Sequence, residues 1–334
     1  MDDSTHPPPT DRVVTLLKQD AREEARCCLE QIQAVSGDDR KTAVRSLKSV
    51  AEDQPAVFES ISSVLASFLT DDERSVRLTT AKLFVTCAES RPETVVPVVS
   101  SLADRLADDE EFYYVRARCA EALGYVALDH PEVVTSPEIL ADLRIGLSFD
   151  EPEVKEKLAK ALEYVALGDP GRLAHLVSNL TEHLDDEQEL VRYHLCTALV
   201  LVGCDAPGTL AGARDALAAR LTDENTYVQG RAAEALGLLA RAATTDPSFP
   251  ESELVAVGDE AEAFAAERAQ FALEEIREGD ASADSSDGIS TVEAIHGTTQ
   301  EIVADITAPD ADGTCSHCGL ALPERTVSEP FAII

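Results

Sequence analysis

Two near copies of one pattern, more than a hundred residues apart, decide the fold of this chain. The first is LADDEEFYYVRARCAEALGYVA, residues 106–127, and the second is LTDENTYVQGRAAEALGLLA, residues 221–240. Each copy starts with a leucine and an acidic turn, continues to a valine, and ends in a stretch rich in alanine and leucine. Such recurrence predicts repeated structural units rather than one irregular core.

The pattern recurs five times in phase. Its valines are 39, 39, 37 and 37 residues apart; a small residue follows five positions later, and a large apolar residue follows eight positions later. The valines are Val76, Val115, Val154, Val191 and Val228; the small residues are Ala81, Ala120, Ala159, Cys196 and Ala233; the large ones are Phe84, Leu123, Leu162, Leu199 and Leu236. With a weaker copy beginning at Gly37, this period predicts a stacked array.

The apolar spacing inside each unit is helical. Val115, Cys119, Leu123 and Val126 follow one another at steps of four, four and three, which places them on one helix face. The preceding stretch, PETVVPVVSSLADRLADD, supplies a second apolar face. The sequence therefore predicts an all-α fold, an α-solenoid of about six helix pairs whose stacking buries a continuous core.

The turn between the two helices carries an aspartate, and a basic residue follows it. Asp71 precedes Arg77 by six residues, and Asp186 precedes Arg192 by the same interval. An aspartate there can cap free backbone N–H groups at the start of the second helix. The basic side chain can reach back to a carboxylate or on to the next repeat. We interpret this regular series as part of the stacking rather than as a ligand site.

These residues resemble the HEAT family, and more closely the HEAT-like repeats of phycobilisome lyases, over residues 37–243. The resemblance implies an α-solenoid but little about chemistry. It brings two enzyme hypotheses, a bilin lyase and an iron hydroxylase whose ligands are His-Glu pairs. The sequence contains no His-Glu dipeptide, which argues against the hydroxylase. A lyase-like enzyme acting on a cofactor-bearing protein remains the alternative to a non-enzymatic scaffold that binds protein partners.

Acidic residues dominate the composition. The 334 residues include 63 acidic and 28 basic ones, for a net charge of −35. The acidic residues are spread over almost every turn, which favours adaptation to a high-salt cytoplasm over an acidic surface made for one basic partner. HEAT-like proteins of salt-loving archaea include some linked with taxis signalling, so the resemblance suggests an adaptor in that process.

Charge and hydropathy also narrow the classes of partner. The chain has no long run of lysine and arginine, so no nucleic-acid partner is expected. No apolar run approaches the roughly 20 residues of a membrane span. The acidic, proline-rich start does not resemble a secretory signal, and we expect a cytoplasmic protein without membrane contact.

The domain organisation follows from the repeat boundaries. We expect disorder in residues 1–10, one N-terminal capping helix in 11–36, and the repeat solenoid in 37–243. A C-terminal capping helix is predicted in 259–278, then an acidic linker with two short strands in 279–313, and a tail in 314–334.

Candidate partner-binding residues lie in and near the second helices, which we expect to line the concave surface. Tyr113 and Tyr114 fall in a two-residue insertion, and insertions in solenoids often form loops on the binding face. Arg118 and Arg231 are predicted to be exposed on the same helices, where charge reversal should weaken partner binding. Cys87, Cys119 and Cys196 fall on apolar faces and are predicted to be core residues.

The tail contains the one CxxC pair of the chain, Cys315 and Cys318, which resembles one knuckle of a zinc ribbon. Zinc takes four ligands, and no second CxxC follows. Three alternatives stay open: a zinc-linked homodimer, a site completed within the chain by His296 or His317, and a metal-free remnant. In either zinc-binding case the metal is structural.

Overall fold

The structure is a computed structural model that describes residues 10–242, 248–278 and 291–307. Within those ranges the regular elements are α-helices and 3₁₀-helices, stacked in chain order. The predicted all-α solenoid is therefore confirmed. None of these helices is both long enough and apolar enough to cross a membrane.

Five helices of 17 residues each form the spine of the stack, and each packs against the next along the chain. They are the second helices of the predicted repeats, and the apolar positions of the repeat pattern are buried between them. Their bounds are α6 Arg74–Ser90, α8 Tyr113–Asp129, α11 Pro152–Gly168, α13 Glu189–Asp205 and α15 Thr226–Ala242.

The first half of each repeat is shorter and more broken than the predicted single helix. The α-helical pieces are α5 Ser62–Ala66, α7 Val99–Ala107, α9 Pro131–Val134, α10 Pro137–Ile145, α12 Val177–Thr181 and α14 Arg214–Arg220. The second helix of the copy that begins at Gly37 is also broken, into α3 Gly37–Ser46 and α4 Lys48–Asp53, and both pieces pack on α6. A proline stands at the start of the element that opens each of five repeats, where its fixed φ suits a helical turn and its missing N–H needs no partner. These prolines are Pro55, Pro92, Pro131, Pro170 and Pro207, at the same period as the valines.

Acidic and basic residues of the described turns join neighbouring repeats at four places, while Arg116 instead bonds within its own repeat, to the carbonyl of Leu106 and to Asp109. Asp186 Oδ1 accepts a hydrogen bond of 2.9 Å from the backbone N–H of Gln188, the residue before α13. This bond fixes the turn, whereas the predicted capping of free N–H groups in the first turn of α13 is not observed. Arg192 donates a hydrogen bond of 2.8 Å to the carbonyl oxygen of Asp186. It donates two more, also of 2.8 Å, to the two carboxylate oxygens of Asp223 in the next repeat. The same arrangement joins Arg40 to Asp71, Arg77 to Glu111 and Lys155 to Asp186.

The N-terminal cap differs from the single helix predicted over residues 11–36. The structure has two helices, α1 Thr10–Lys18 and α2 Arg22–Ile32. The break occurs at Asp20, whose φ of 58° lies in the left-handed region. Aspartate tolerates that region better than most residues, and its carboxylate accepts from Arg22 Nε at 2.7 Å.

The C-terminal region also differs from the prediction. The helix expected over 259–278 is present as α17 Ala263–Glu278, which stacks on α15 as a further long helix. A helix that was not predicted, α16 Glu251–Glu260, precedes it. The two strands predicted after residue 290 are instead one helix, α18 Val292–Ile306. Thr291 begins it by accepting the N–H of Ala294 at 3.2 Å.

The cysteines predicted to lie in the core do so. Cys87, Cys119 and Cys196 are each at most 1% exposed. Burial raises the pKa of Cys87 to about 12, so this thiol stays protonated and unreactive at neutral pH.

Candidate protein-binding face

One side of the stacked long helices carries charged and aromatic residues rather than the core of the array. We call it the second-helix face and define it by the third and sixth positions after each repeat valine. The third positions are Thr79, Arg118, Lys157, His194 and Arg231, and the sixth are Lys82, Glu121, Lys160, Thr197 and Glu234. Position three and position six share a helix side because they are one turn apart.

The N-terminal half of this face gathers positive charge around one buried carboxylate. Arg118 Nη1 donates to Glu121 Oε2 at 2.5 Å, and the Nζ atoms of Lys157 and Lys160 lie 3.5 and 3.6 Å from Glu121 Oε1. Burial alone raises the pKa of Glu121, but these three cations outweigh it and lower the pKa to about 2. Glu121 is therefore ionised at neutral pH and holds the cations together.

Lys82 extends this positive region toward the N-terminus. Its side chain is exposed, and it makes no ion pair with any side chain in the described ranges. Burial of part of its stem lowers its pKa, and the charges of Arg118, Lys48 and Arg45 lower it further. The cationic cluster therefore consists of six side chains, Arg45, Lys48, Lys82, Arg118, Lys157 and Lys160.

Two tyrosines bound the cluster on its other side. Lys160 Nζ lies 5.0 Å from the ring centroid of Tyr125 and 5.2 Å from that of Tyr164, so the ammonium group sits between two aromatic faces. Burial lowers the pKa of Lys160, but Tyr164 and Glu121 raise it more, and the net shift is upward. The ammonium group thus keeps its charge at the edge of the core.

The C-terminal half of the face is buried instead of open. Arg231, predicted to be exposed and to bind a partner, is 0% exposed. Its Nη1 donates to Glu234 at 2.8 Å, and Arg268 Nε donates to the same oxygen at 3.1 Å. The prediction is wrong because Arg231 would face solvent on α15 alone, whereas α17 and α18 cover this side of α15 in the fold.

A second buried polar pair lies beside these arginines. His194 Nδ1 contacts Glu163, and both side chains are essentially without exposure. Tyr193 lies next to them, with the guanidinium of Arg231 5.9 Å from its ring centroid. The C-terminal half of the face therefore contains a layer of buried polar side chains that solvent does not reach.

The sequence analysis expects Tyr113 and Tyr114 in a loop, but both lie in the first turn of α8. Their ring centroids are 4.4 Å apart, and Phe112 packs against both. The hydroxyl of Tyr114 contacts Glu153 of the next repeat at 3.1 Å. The inserted residues thus help to join two repeats, and their role in binding a partner stays a prediction.

The predicted metal ligands are dispersed or outside the described residues. His296 is exposed on α18, while Cys315, His317 and Cys318 fall in the undescribed tail. In the described ranges no three His, Cys, Asp or Glu side chains are placed to hold a metal ion. Two further histidines, His175 and His183, lie in different elements, a 3₁₀-helix and the turn after α12.

The sequence carries a signal for the cationic cluster at positions outside the recurring repeat pattern. The repeat pattern rests on the buried positions zero, five and eight. Positions three and six vary in residue type, as expected for a surface that does not take part in stacking, yet four of those in the first three long helices are basic. Counting charge by repeat position finds Lys82, Arg118, Lys157 and Lys160.

Comparison with solved structures supports the fold. An engineered protein of a structural genomics consortium matches with a TM-score of 0.58 and 20% identity, over 91% of this chain and 78% of the other. A designed armadillo repeat protein matches with a TM-score of 0.53 and 19% identity, over 64% and 98%. Another such design, solved with the peptide (KR)4, has the same TM-score and identity, over 64% and 98%. No protein-family model and no curated protein matches the sequence.

Proposed function

We propose that this chain is a non-enzymatic scaffold that binds an acidic segment of a partner protein on the cationic cluster. The observation that carries the proposal is the gathering of six basic side chains on an open face of a protein whose net charge is −35. Charge of this sign, concentrated against the trend of the whole surface, raises the local concentration of an anionic ligand and sets its orientation.

The arrangement of the cluster fits an extended or helical segment rather than a single small anion. Its members come from α3, α4, α6, α8 and α11, so they follow one another along the stack. Glu121 pairs with three members of the cluster, Glu156 pairs with Lys157, and Glu52 pairs with Lys48. Lys82, at the open end, keeps only cations as close electrostatic neighbours. A partner carboxylate at Lys82 would relieve that repulsion.

The solenoid fold is compatible with peptide binding, since one structurally similar designed armadillo repeat protein was solved in complex with a peptide. That peptide, (KR)4, is basic. The cationic cluster of this chain carries charge of the same sign as that peptide, and we therefore infer an acidic ligand for this chain from its own residues. An adaptor role in archaeal taxis signalling is a narrower proposal that rests on the family resemblance alone, as does a structural zinc at Cys315 and Cys318.

Charge reversal at Lys82 tests the proposal. We expect Lys82→Glu to weaken binding of a short peptide rich in aspartate and glutamate by about tenfold or more, because an attraction becomes a repulsion. The measurement is fluorescence anisotropy of the labelled peptide at several salt concentrations. Arg118→Glu should act in the same direction while leaving the fold intact, because the buried Glu121 keeps Lys157 and Lys160 as ionic partners.

The matched control is Lys18→Glu, which makes the same change of charge at an exposed lysine of α1. If both lysine variants weaken binding equally, the peptide responds to net charge alone and the cluster is not the site.

A coloured cofactor that stays with an isolated partner complex would instead favour the lyase-like alternative.

We also propose that the acidic surface adapts the protein to high salt. The melting temperature should fall steadily as salt is lowered from the molar range to about 0.1 M, because 35 net negative charges lose their screening. Thermal denaturation followed by circular dichroism measures this. A melting temperature that does not change over that range would remove the halophilic interpretation.

A further inference from the structure

Helix α18 covers the C-terminal half of the second-helix face and runs antiparallel to α13 and α15. Near its C-terminal end, Asp305 accepts a hydrogen bond of 2.6 Å from the hydroxyl of Tyr227, at the start of α15. In the middle, the Oγ1 of Thr298 lies 3.5 Å from Arg231 Nη2. Near its N-terminal end, the charge of Glu293 acts on the thiol of Cys204, at the end of α13.

The contacts of α18 are those of an amphipathic helix in a groove. Ile295, Thr299, Ile302 and Ile306 are buried, at steps of four, three and four, while the opposite side of the helix is exposed. The groove beneath is formed by second helices that elsewhere in the stack are open to solvent. Recognition by apolar residues at this spacing is a general mode by which grooves bind partner helices.

The sequence of α18 is poorly suited to form a helix by itself. It contains seven β-branched residues with low helix propensity, and Gly297 lies at its middle. A side chain at Gly297 would meet nothing within 4 Å, so the glycine is not required by packing. The helix is therefore stabilised mainly by its contacts with α13 and α15, as expected of a segment that orders when it binds.

We propose that the surface of α13 and α15 beneath α18 is a binding site for an amphipathic acidic helix of a partner protein. In this proposal α18 occupies the site within the same chain and must be displaced before the partner binds. The partner would carry aliphatic residues at the spacing found in α18 and a carboxylate near its C-terminal end, to meet Tyr227. This site goes beyond the proposed function, which uses the N-terminal half of the same face.

The competition can be measured with a labelled peptide of residues 291–307 added to the full chain. Ile302→Asp places a charge in the apolar contact of α18 and should release it, so this variant should bind the peptide at least about tenfold more tightly than the wild type. Gly297→Ala should act in reverse. It raises the helix propensity of α18 without touching the groove, and should weaken peptide binding about two- to fivefold.

Glu301→Gln is the control, since Glu301 is exposed on the outer side of α18 and the two residue types have similar helix propensities. It should bind the peptide as the wild type does. The proposal is overturned if the Ile302 variant, folded by circular dichroism, binds no more tightly than the wild type. It is equally overturned if Gly297→Ala does not weaken binding, which keeps the test decisive should Ile302→Asp fail to fold. Neither outcome depends on the acidic peptide or on Lys82.

Discussion

Glu234→Ala is expected to lower the free energy of unfolding by about 3–5 kcal/mol, because it leaves two arginines in the core without their shared carboxylate. Glu234 and Arg231 are both 0% exposed, and the side chain of Arg268 is 10% exposed. Burial alone lowers the pKa of Arg231, but Glu234 and Tyr193 raise it more, so Arg231 stays charged when folded. The measurement is urea denaturation followed by circular dichroism at molar salt.

Two further variants separate the buried charge from other causes. Glu224→Ala removes an exposed carboxylate from the same repeat and should change the stability by no more than about 0.5 kcal/mol. Replacing the pair together, with Arg231→Met and Glu234→Leu, should recover part of the loss, since apolar residues of similar volume need no ionic partner. A loss below about 1 kcal/mol in Glu234→Ala would contradict the burial of this network.

Leu123→Ala tests the register of the whole array and should cost about 2–5 kcal/mol. Leu123 stands at the eighth position after the repeat valine and is 1% exposed, so the substitution leaves a cavity between stacked helices. Ile145→Ala is the matched control, because Ile145 is an aliphatic residue that is 52% exposed on α10. If Leu123→Ala costs no more than the control, the assignment of core positions to the repeat is wrong.

The sequence predicted what depends on regular stacking. The period, the buried valine and leucine positions, and the pairing of Arg192 with the acidic turn of the next repeat all follow from one local pattern repeated in phase. Most of these positions have the same kind of neighbour in successive repeats, so the pattern alone carries most of the information.

Features that depend on contacts outside the repeat were not predictable in this way. The β-branched residues of α18, such as Ile295, Thr299 and Ile302, favour a strand in isolation, and packing on α13 overrides that preference. Arg231 was placed on the surface because arginine is rarely buried, and its cover comes from α18, far along the chain. The cationic cluster was missed because its members vary between repeats.

The most direct test of the central claim, that an acidic segment binds on the cationic cluster, is site-specific photo-crosslinking. In one protein a photoreactive residue replaces Thr86, which is half-buried one turn after Lys82, on the same side of α6 as Lys82. In a second protein it replaces Ile145, which is exposed on α10. Each protein is irradiated with the aspartate- and glutamate-rich peptide and analysed by mass spectrometry. We expect a crosslink to the peptide from position 86 and none from position 145. A peptide that binds but crosslinks only from position 145 would contradict the account.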